Sequence, residues 1–260
     1  MKIACTEYFV PNWDSHSLTD EFARRGVFYM GLVAARLPEN EAERDEQLSY
    51  AISHGMEIDL HAPFGINNIA STDKELRRTS IENVKRSIDL AAKFGIVAVT
   101  FHPGRLSSED DDPEEIWADL MDAVAEIAQY AKEKQVYVGL ENMELRPFEL
   151  VHTVEELNRF AHLGEDNPYF GVTIDFAHYA TLGIGLPDLN ALKLPIYNVH
   201  LSQVLDGKAH HSLTLTEGIV DLPGVCRRLA DYGYNGHVLL EIGPPFWESI
   251  DILKAANNSI

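Results

Sequence analysis

Short runs of almost wholly apolar residues recur along the chain, separated by stretches in which apolar residues fall three or four apart. The runs cover residues 2–6, 27–33, 56–60, 97–101, 136–140, 170–174, 196–199 and 238–240. Helical spacing predicts helices over 17–25, 40–54, 81–94, 113–134, 154–162, 222–232 and 247–256. Gly26, Gly55, Gly95 and Gly233 stand just past four of them, where a left-handed C-terminal cap is expected, and Asn40 suits an N-cap. The helix after the sixth run is weak, because Gly183, Gly185 and Pro187 interrupt it. Near-continuous apolar strands alternating with amphipathic helices imply a parallel sheet covered on its outer face. Eight such units over residues 1–260, with no linker, predict an α/β protein forming one (β/α)8 barrel domain. A doubly wound open sheet is the alternative, but no G-x-G-x-x-G or G-x-x-x-x-G-K-[ST] loop follows any strand.

Composition narrows the classes. The chain carries a formal net charge of −20 over 260 residues, which disfavours gripping nucleic acid, since affinity for phosphate backbones comes from Lys and Arg. No apolar run approaches the ~18–20 residues of a membrane span, and the first residues lack a signal peptide's apolar region. Cys5 and Cys226 are the two cysteines, too few for a disulfide framework or a thiolate zinc site. These features predict a cytoplasmic protein whose partner is a small molecule, with a homo-oligomer left open. The acidic run 109–115 fits the first turn of the helix at Pro113, where it complements the helix dipole.

The polar residues carry the chemistry by their position. Six successive strands finish on a side chain able to ligate a metal: His61, His102, Glu141, Asp175 with His178 three residues on, His200, and Glu241. His210 and His211 follow the seventh strand. A single histidine at a strand end is usually structural, and His16, His54, His152, His162 and His237 read as structural or solvated. The aligned set is different. Strand ends of a parallel barrel converge on one mouth, and carboxylates and imidazoles crowded there would oppose one another unless a divalent cation sat among them. Trp13 and Phe64 belong to mouth loops, where they stack on a substrate or pack the loops.

The segments HAPFGIN, FHPG, GLENME, IDFAH, VHLS, HHSL and LLEIG resemble the landmarks of the xylose isomerase-like barrel superfamily. Its branches include sugar isomerases and epimerases and the endonuclease IV nucleases (AP endonuclease family 2). The epimerase branch implies one catalytic metal on Glu141, Asp175, His200 and Glu241. It also implies Glu141 and Glu241 as proton-exchanging groups and His178 as a sugar contact. The endonuclease IV branch implies a zinc on His61, His102 and Glu141, and a second on Glu141, Asp175, His200 and Glu241. Its third zinc needs His178 and a D-x-H triplet, which here reads Lys208-Ala209-His210, so that a cation replaces the Asp.

The expectation is a divalent-metal-dependent isomerase or epimerase holding one or two ions of Zn, Mn or Fe. It would act on a sugar or sugar phosphate by proton transfer through a metal-stabilised enediolate. The alternative is an endonuclease IV-like phosphodiester hydrolase with two or three zinc ions; a metal-bearing binding protein is a third reading. Cations near the strand ends are Arg36, Arg105, Arg146 and Lys208, with Lys208 and Arg146 the candidates for substrate contact.

Overall fold

A computed structural model of the chain describes residues 1–7, 15–243 and 246–259. Eight parallel strands close into a barrel: β1 (Lys2–Thr6), β2 (Tyr29–Val33), β3 (Glu57–His61), β4 (Ala98–Phe101), β5 (Val138–Glu141), β6 (Phe170–Asp175), β7 (Ile196–Leu201) and β10 (His237–Leu240). The last strand pairs with the first, Lys2 opposite His237 and Cys5 opposite Leu240. The expected single (β/α)8 barrel is the observed fold.

Strands β2 to β5 start one or two residues later than their apolar runs, and the helix ends before them show why. At the end of α1 (Ser15–Arg24), α2 (Glu41–Ser53), α3 (Lys74–Phe94), α4 (Pro113–Lys134) and α7 (Leu222–Tyr232), the chain turns through a left-handed residue. The next apolar residue then bonds back into the helix: Val27 N–H to the Phe22 carbonyl, Met56 to Ala51, Ile96 to Ala91, Val136 to Ala131 and Tyr234 to Leu229, at 2.9–3.1 Å. These Schellman closures assign Val27, Met56 and Val136, the first residues of their runs, to the helix end and not to the sheet. Gln135 makes the turn at α4 without glycine, at φ 56°.

Other boundaries also moved. Helix α3 begins at Lys74, well before the expected residue 81, because the Asp73 carboxylate accepts from the N–H groups of Glu75 and Leu76. The expected helix over 154–162 is one turn, α5 (Val154–Leu157), followed by 3-10 helix through Leu163. The connection after β6 holds a short helix, α6 (Phe176–Ala180). After β7 the chain forms a hairpin, β8 (Gln203–Leu205) with β9 (Lys208–His210). Its two turn residues, Asp206 at φ 51° and Gly207 at φ 74°, have the left-handed pair that a tight hairpin needs. Helix α8 (Phe246–Asn258) ends the chain's regular structure.

The barrel interior is filled. Gly31 leaves room for Leu239, whose Cδ1 would lie 2.5 Å from a Cβ at that position. One layer up, Thr100 and Thr173 share a hydroxyl hydrogen bond of 2.8 Å, and Gly139 accommodates Thr173. The floor is polar. His237 is buried, with Nδ1 against Asp59 and Nε2 3.1 Å from Glu57, which also receives Lys2 at 2.7 Å. Among the described residues no helix is long and apolar enough to cross a membrane.

Candidate metal and substrate site

The strand-end residues converge above the Thr100–Thr173 layer, and Glu141 is their hub. Its Oε2 lies 3.3 Å from His61 Nε2 and 3.2 Å from His102 Nε2, while its Oε1 lies 2.8 Å from His200 Nδ1. Glu241 Oε1 stands 3.2 Å from that same His200 nitrogen. Two groups of potential ligand atoms, each within 4.8 Å, therefore share one carboxylate: His61, His102 and Glu141, and Glu141, Asp175 and His200.

The supporting bonds aim these ligands. His61 Nδ1 lies 2.7 Å from the Ala62 carbonyl, so it donates there and leaves Nε2 facing Glu141. His178 Nδ1 likewise donates to the Asn142 carbonyl at 2.9 Å, leaving its Nε2 for the cavity. Asn142 also grips the Asp175 backbone in both directions, at 2.9 and 3.0 Å. Asp175 Oδ1 caps α6 by accepting from His178 N–H at 2.7 Å. Its Oδ2 is buried with no hydrogen-bond partner. An orphaned carboxylate oxygen inside a protein is costly, and here it faces the cluster, so the donor set fits a bound cation.

The electrostatics point the same way. Burial opposes charge on His200, but the carboxylates of Glu241 and Glu141 outweigh it and lift the imidazole to about 10. Burial also opposes ionisation of Glu141, yet His200, His102 and His61 hold it well below the usual carboxylate range. Asp175 is pushed up by burial and by the like charges of Glu141 and Glu241, despite His178 and His200. Positive charge is in demand here, and neutral imidazoles with ionised carboxylates are what a first-row divalent ion takes.

Above the cluster opens a cavity of about 420 Å³. His61, His102, His178 and Glu241 line its base, and Phe64, stacked on the His102 ring at 5.3 Å, forms a wall. Trp13 lies outside the described residues. His211 reaches the cavity, with Nδ1 2.7 Å from the Glu241 carbonyl. His210 sits in β9 opposite Gln203, and Lys208 is exposed opposite Leu205; neither lines the cavity. Arg146 does line it, joined there by Arg105, Glu144 and Glu149. The two glutamates were not singled out in the sequence, because nothing in their spacing marks them. They are carried by the loop after β5, in which Phe148 and Val151 adopt left-handed φ of 75° and 64°. Such angles are unfavourable for a bulky and a β-branched residue. The Leu106 N–H bond to the Phe148 carbonyl and the Met143 N–H bond to the Val151 carbonyl, both 2.8 Å, hold them.

Comparison with known proteins adds three findings. The family model described as xylose isomerase-like TIM barrel matches residues 21–256. A protein of Methanocaldococcus jannaschii, MJ1311, is 25% identical over 204 residues, 72% of this chain and 64% of its own length. Among solved structures, a D-tagatose 3-epimerase-like protein superposes with a TM-score of 0.84 at 22% identity, over 100% of this chain and 99% of its own. D-psicose 3-epimerase from Clostridium cellulolyticum H10, solved with D-tagatose, gives 0.78 at 18% identity, covering 94% and 85%. The IOLI protein with a bound zinc atom gives 0.77 at 20%, covering 98% and 96%. At these identities the structural likeness establishes the fold.

Proposed function

Since the chain belongs to the xylose isomerase-like TIM barrel family, we propose that it is a divalent-metal-dependent isomerase or epimerase of a small sugar. The observation that carries this reading is the pair Glu141 and Glu241, two carboxylates that meet at His200 Nδ1 at 2.8 and 3.2 Å. Glu141, Asp175, His200 and Glu241 would hold the ion, with Zn, Mn and Fe all compatible with the mixed N/O set. When bound, the ion supplies stabilisation for negative charge developing on substrate oxygens.

The chain's own groups supply the rest. A hydrogen on carbon beside a carbonyl must leave one face and return to the other for epimerisation. Two carboxylates flanking the substrate can act in turn as base and acid. Glu241, at 16% side-chain exposure, lines the cavity; Glu141 would work from beneath, at 1%. His178 offers its cavity-side nitrogen to a substrate oxygen, held in place by Asn142.

The test is hydrogen exchange at carbon. Metal-reconstituted protein in D2O, given a panel of ketoses, should incorporate deuterium next to the carbonyl. Glu241→Gln should slow that exchange at least ~100-fold, the lower end of general acid–base contributions. Absence of exchange on every ketose would sink the reading. The cluster of His61, His102 and Glu141 favours a second one, a two-metal phosphodiester hydrolase, because proton exchange alone does not require it. Cleavage of an abasic duplex without ketose exchange would bring that reading forward.

A further inference from the structure

We propose that this mouth selects an uncharged polyol and rejects phosphate esters, because its two guanidiniums share the lining with two glutamates, one of them a buried carboxylate ion-paired to Arg146. The inference rests on the sugar reading above and deepens it. Arg105 and Arg146 are the Lys or Arg side chains that line the cavity. Arg146 is ion-paired to Glu144, whose side chain is 3% exposed. The other Glu144 oxygen accepts from Ala209 N–H of the hairpin at 3.1 Å, so the carboxylate is held from two sides. Arg105 is fixed through its backbone: its N–H donates to Asn68 Oδ1 at 3.0 Å, and its carbonyl accepts from Asn68 Nδ2 at 2.8 Å. Gly104, at φ +87°, permits that clamp, since a Cβ there would stand 2.4 Å from Asn68 Oδ1. The Arg105 guanidinium donates to the Gly65 carbonyl at 2.8 Å. Glu149 bridges Arg105 through the backbone, and burial pushes its half-buried carboxyl up, against the pull of Arg105 and Arg146.

Two guanidiniums and two glutamates therefore line the cavity together with the candidate metal ligands. A sugar hydroxyl donates and accepts, so neighbouring hydroxyls can answer a guanidinium and a carboxylate together. A phosphate dianion only accepts. It would find Arg146 already paired and the fixed Glu144 carboxylate beside it, and such like-charge contacts are how a site rejects a wrong ligand. Lys208, the remaining candidate for phosphate, is exposed outside the cavity lining. The segments outside the description, 8–14, 244–245 and 260, contain no Lys or Arg that might add charge.

The decisive experiment uses inorganic phosphate and the metal-free full chain, so that phosphate has no metal to ligate. Calorimetry should show no phosphate binding to wild type in the millimolar range. Glu144→Gln keeps the acceptor for Ala209 but frees Arg146, and should bind phosphate at least ~10-fold more tightly, a change of about 1.4 kcal/mol. Adding Arg146→Ala should remove the gain. Glu149→Gln, which neutralises the other glutamate of the lining, makes a parallel test if the first variant folds poorly. Metal-loaded wild type should in parallel bind D-fructose at least ~10-fold more tightly than D-fructose 6-phosphate, by the same arithmetic. Wild type that already takes phosphate as well as the glutamine variants, or that prefers the phosphate ester, overturns the proposal. If neither sugar binds, the isomerase reading has failed and the polyol assignment falls with it. The phosphate arm needs neither metal nor turnover, so the two failures are told apart.

Discussion

Asp175 shows how one side chain serves opposed demands. Its Oδ1 and backbone hold α6 and Asn142, while its Oδ2 stands buried without a partner. Asp175→Asn keeps the shape and the helix cap but removes the charge. In the metal-free chain this should raise stability by ~1–3 kcal/mol, the usual cost of an unsatisfied buried polar group. In the same variant, affinity for divalent metal should fall at least ~10-fold, as disturbing even supporting partners of a metal site does. Thermal unfolding with and without chelator reads both effects, and a loss of stability in chelator would show that Oδ2 has a partner after all. Asp175 and its fellow strand-end residues were legible because barrel topology turns sequence position into spatial convergence. His211 was noticed but passed over for His210 as the ligand candidate. Glu144 and Glu149 were not legible, since their place depends on the strained turn at Phe148 and Val151, which no local pattern announces.

Helices and strands were readable to the extent that they obey a period. Helix α4 has its expected bounds, and Asn40 caps α2 by accepting from Glu43 N–H at 3.2 Å. The misplaced start of α3 had a visible signal, the Asp73 that precedes Lys74, but the polar first turns carry no apolar stripe to extend the helix over them. Asp73→Ala should destabilise the chain by about 1 kcal/mol, the typical worth of an N-cap. Urea unfolding measures it, and no change would mean that packing alone sets that helix start. The hairpin after β7 has a like signal in Asp206-Gly207, a dipeptide strongly favouring a two-residue turn, but its strands are too short to stand out as apolar runs.

The whole barrel is fastened at its floor. His237 on β10 lies between Asp59 and Glu57 of β3, with Lys2 of β1 on Glu57, the Tyr29 ring of β2 at 4.8 Å, and the Tyr234 hydroxyl on the His237 carbonyl. Burial pulls the His237 imidazole down, but Asp59 and Glu57 more than reverse this, so it titrates above its ordinary value of about 6.5. Glu57 is held low by Lys2 and His237. The signs follow. The histidine's contribution is whole below its unfolded value and fades as pH rises through the raised folded one. The Glu57 contribution fades only when pH falls through its lowered value. His237→Gln should therefore cost about 3 kcal/mol near pH 6, as removing one partner of a buried ion pair does. The cost should shrink on the alkaline side. Urea unfolding across a pH series tests this, and a pH-independent difference would assign the ring to packing alone.

The pairing that closes the barrel also orders events in time. One edge of β1 is completed by residues 237–240, so the barrel's first strand is paired on that side by its eighth. During synthesis this edge stays open while nearly all the rest of the sheet is translated, an exposed row of amides of the kind that recruits other chains. Closure brings together residues far apart in sequence, and the loop-closure entropy must be met before the floor contacts form. Barrel completion is thus a late, cooperative step, and the interval before it is when this chain is most open to chaperones and to aggregation.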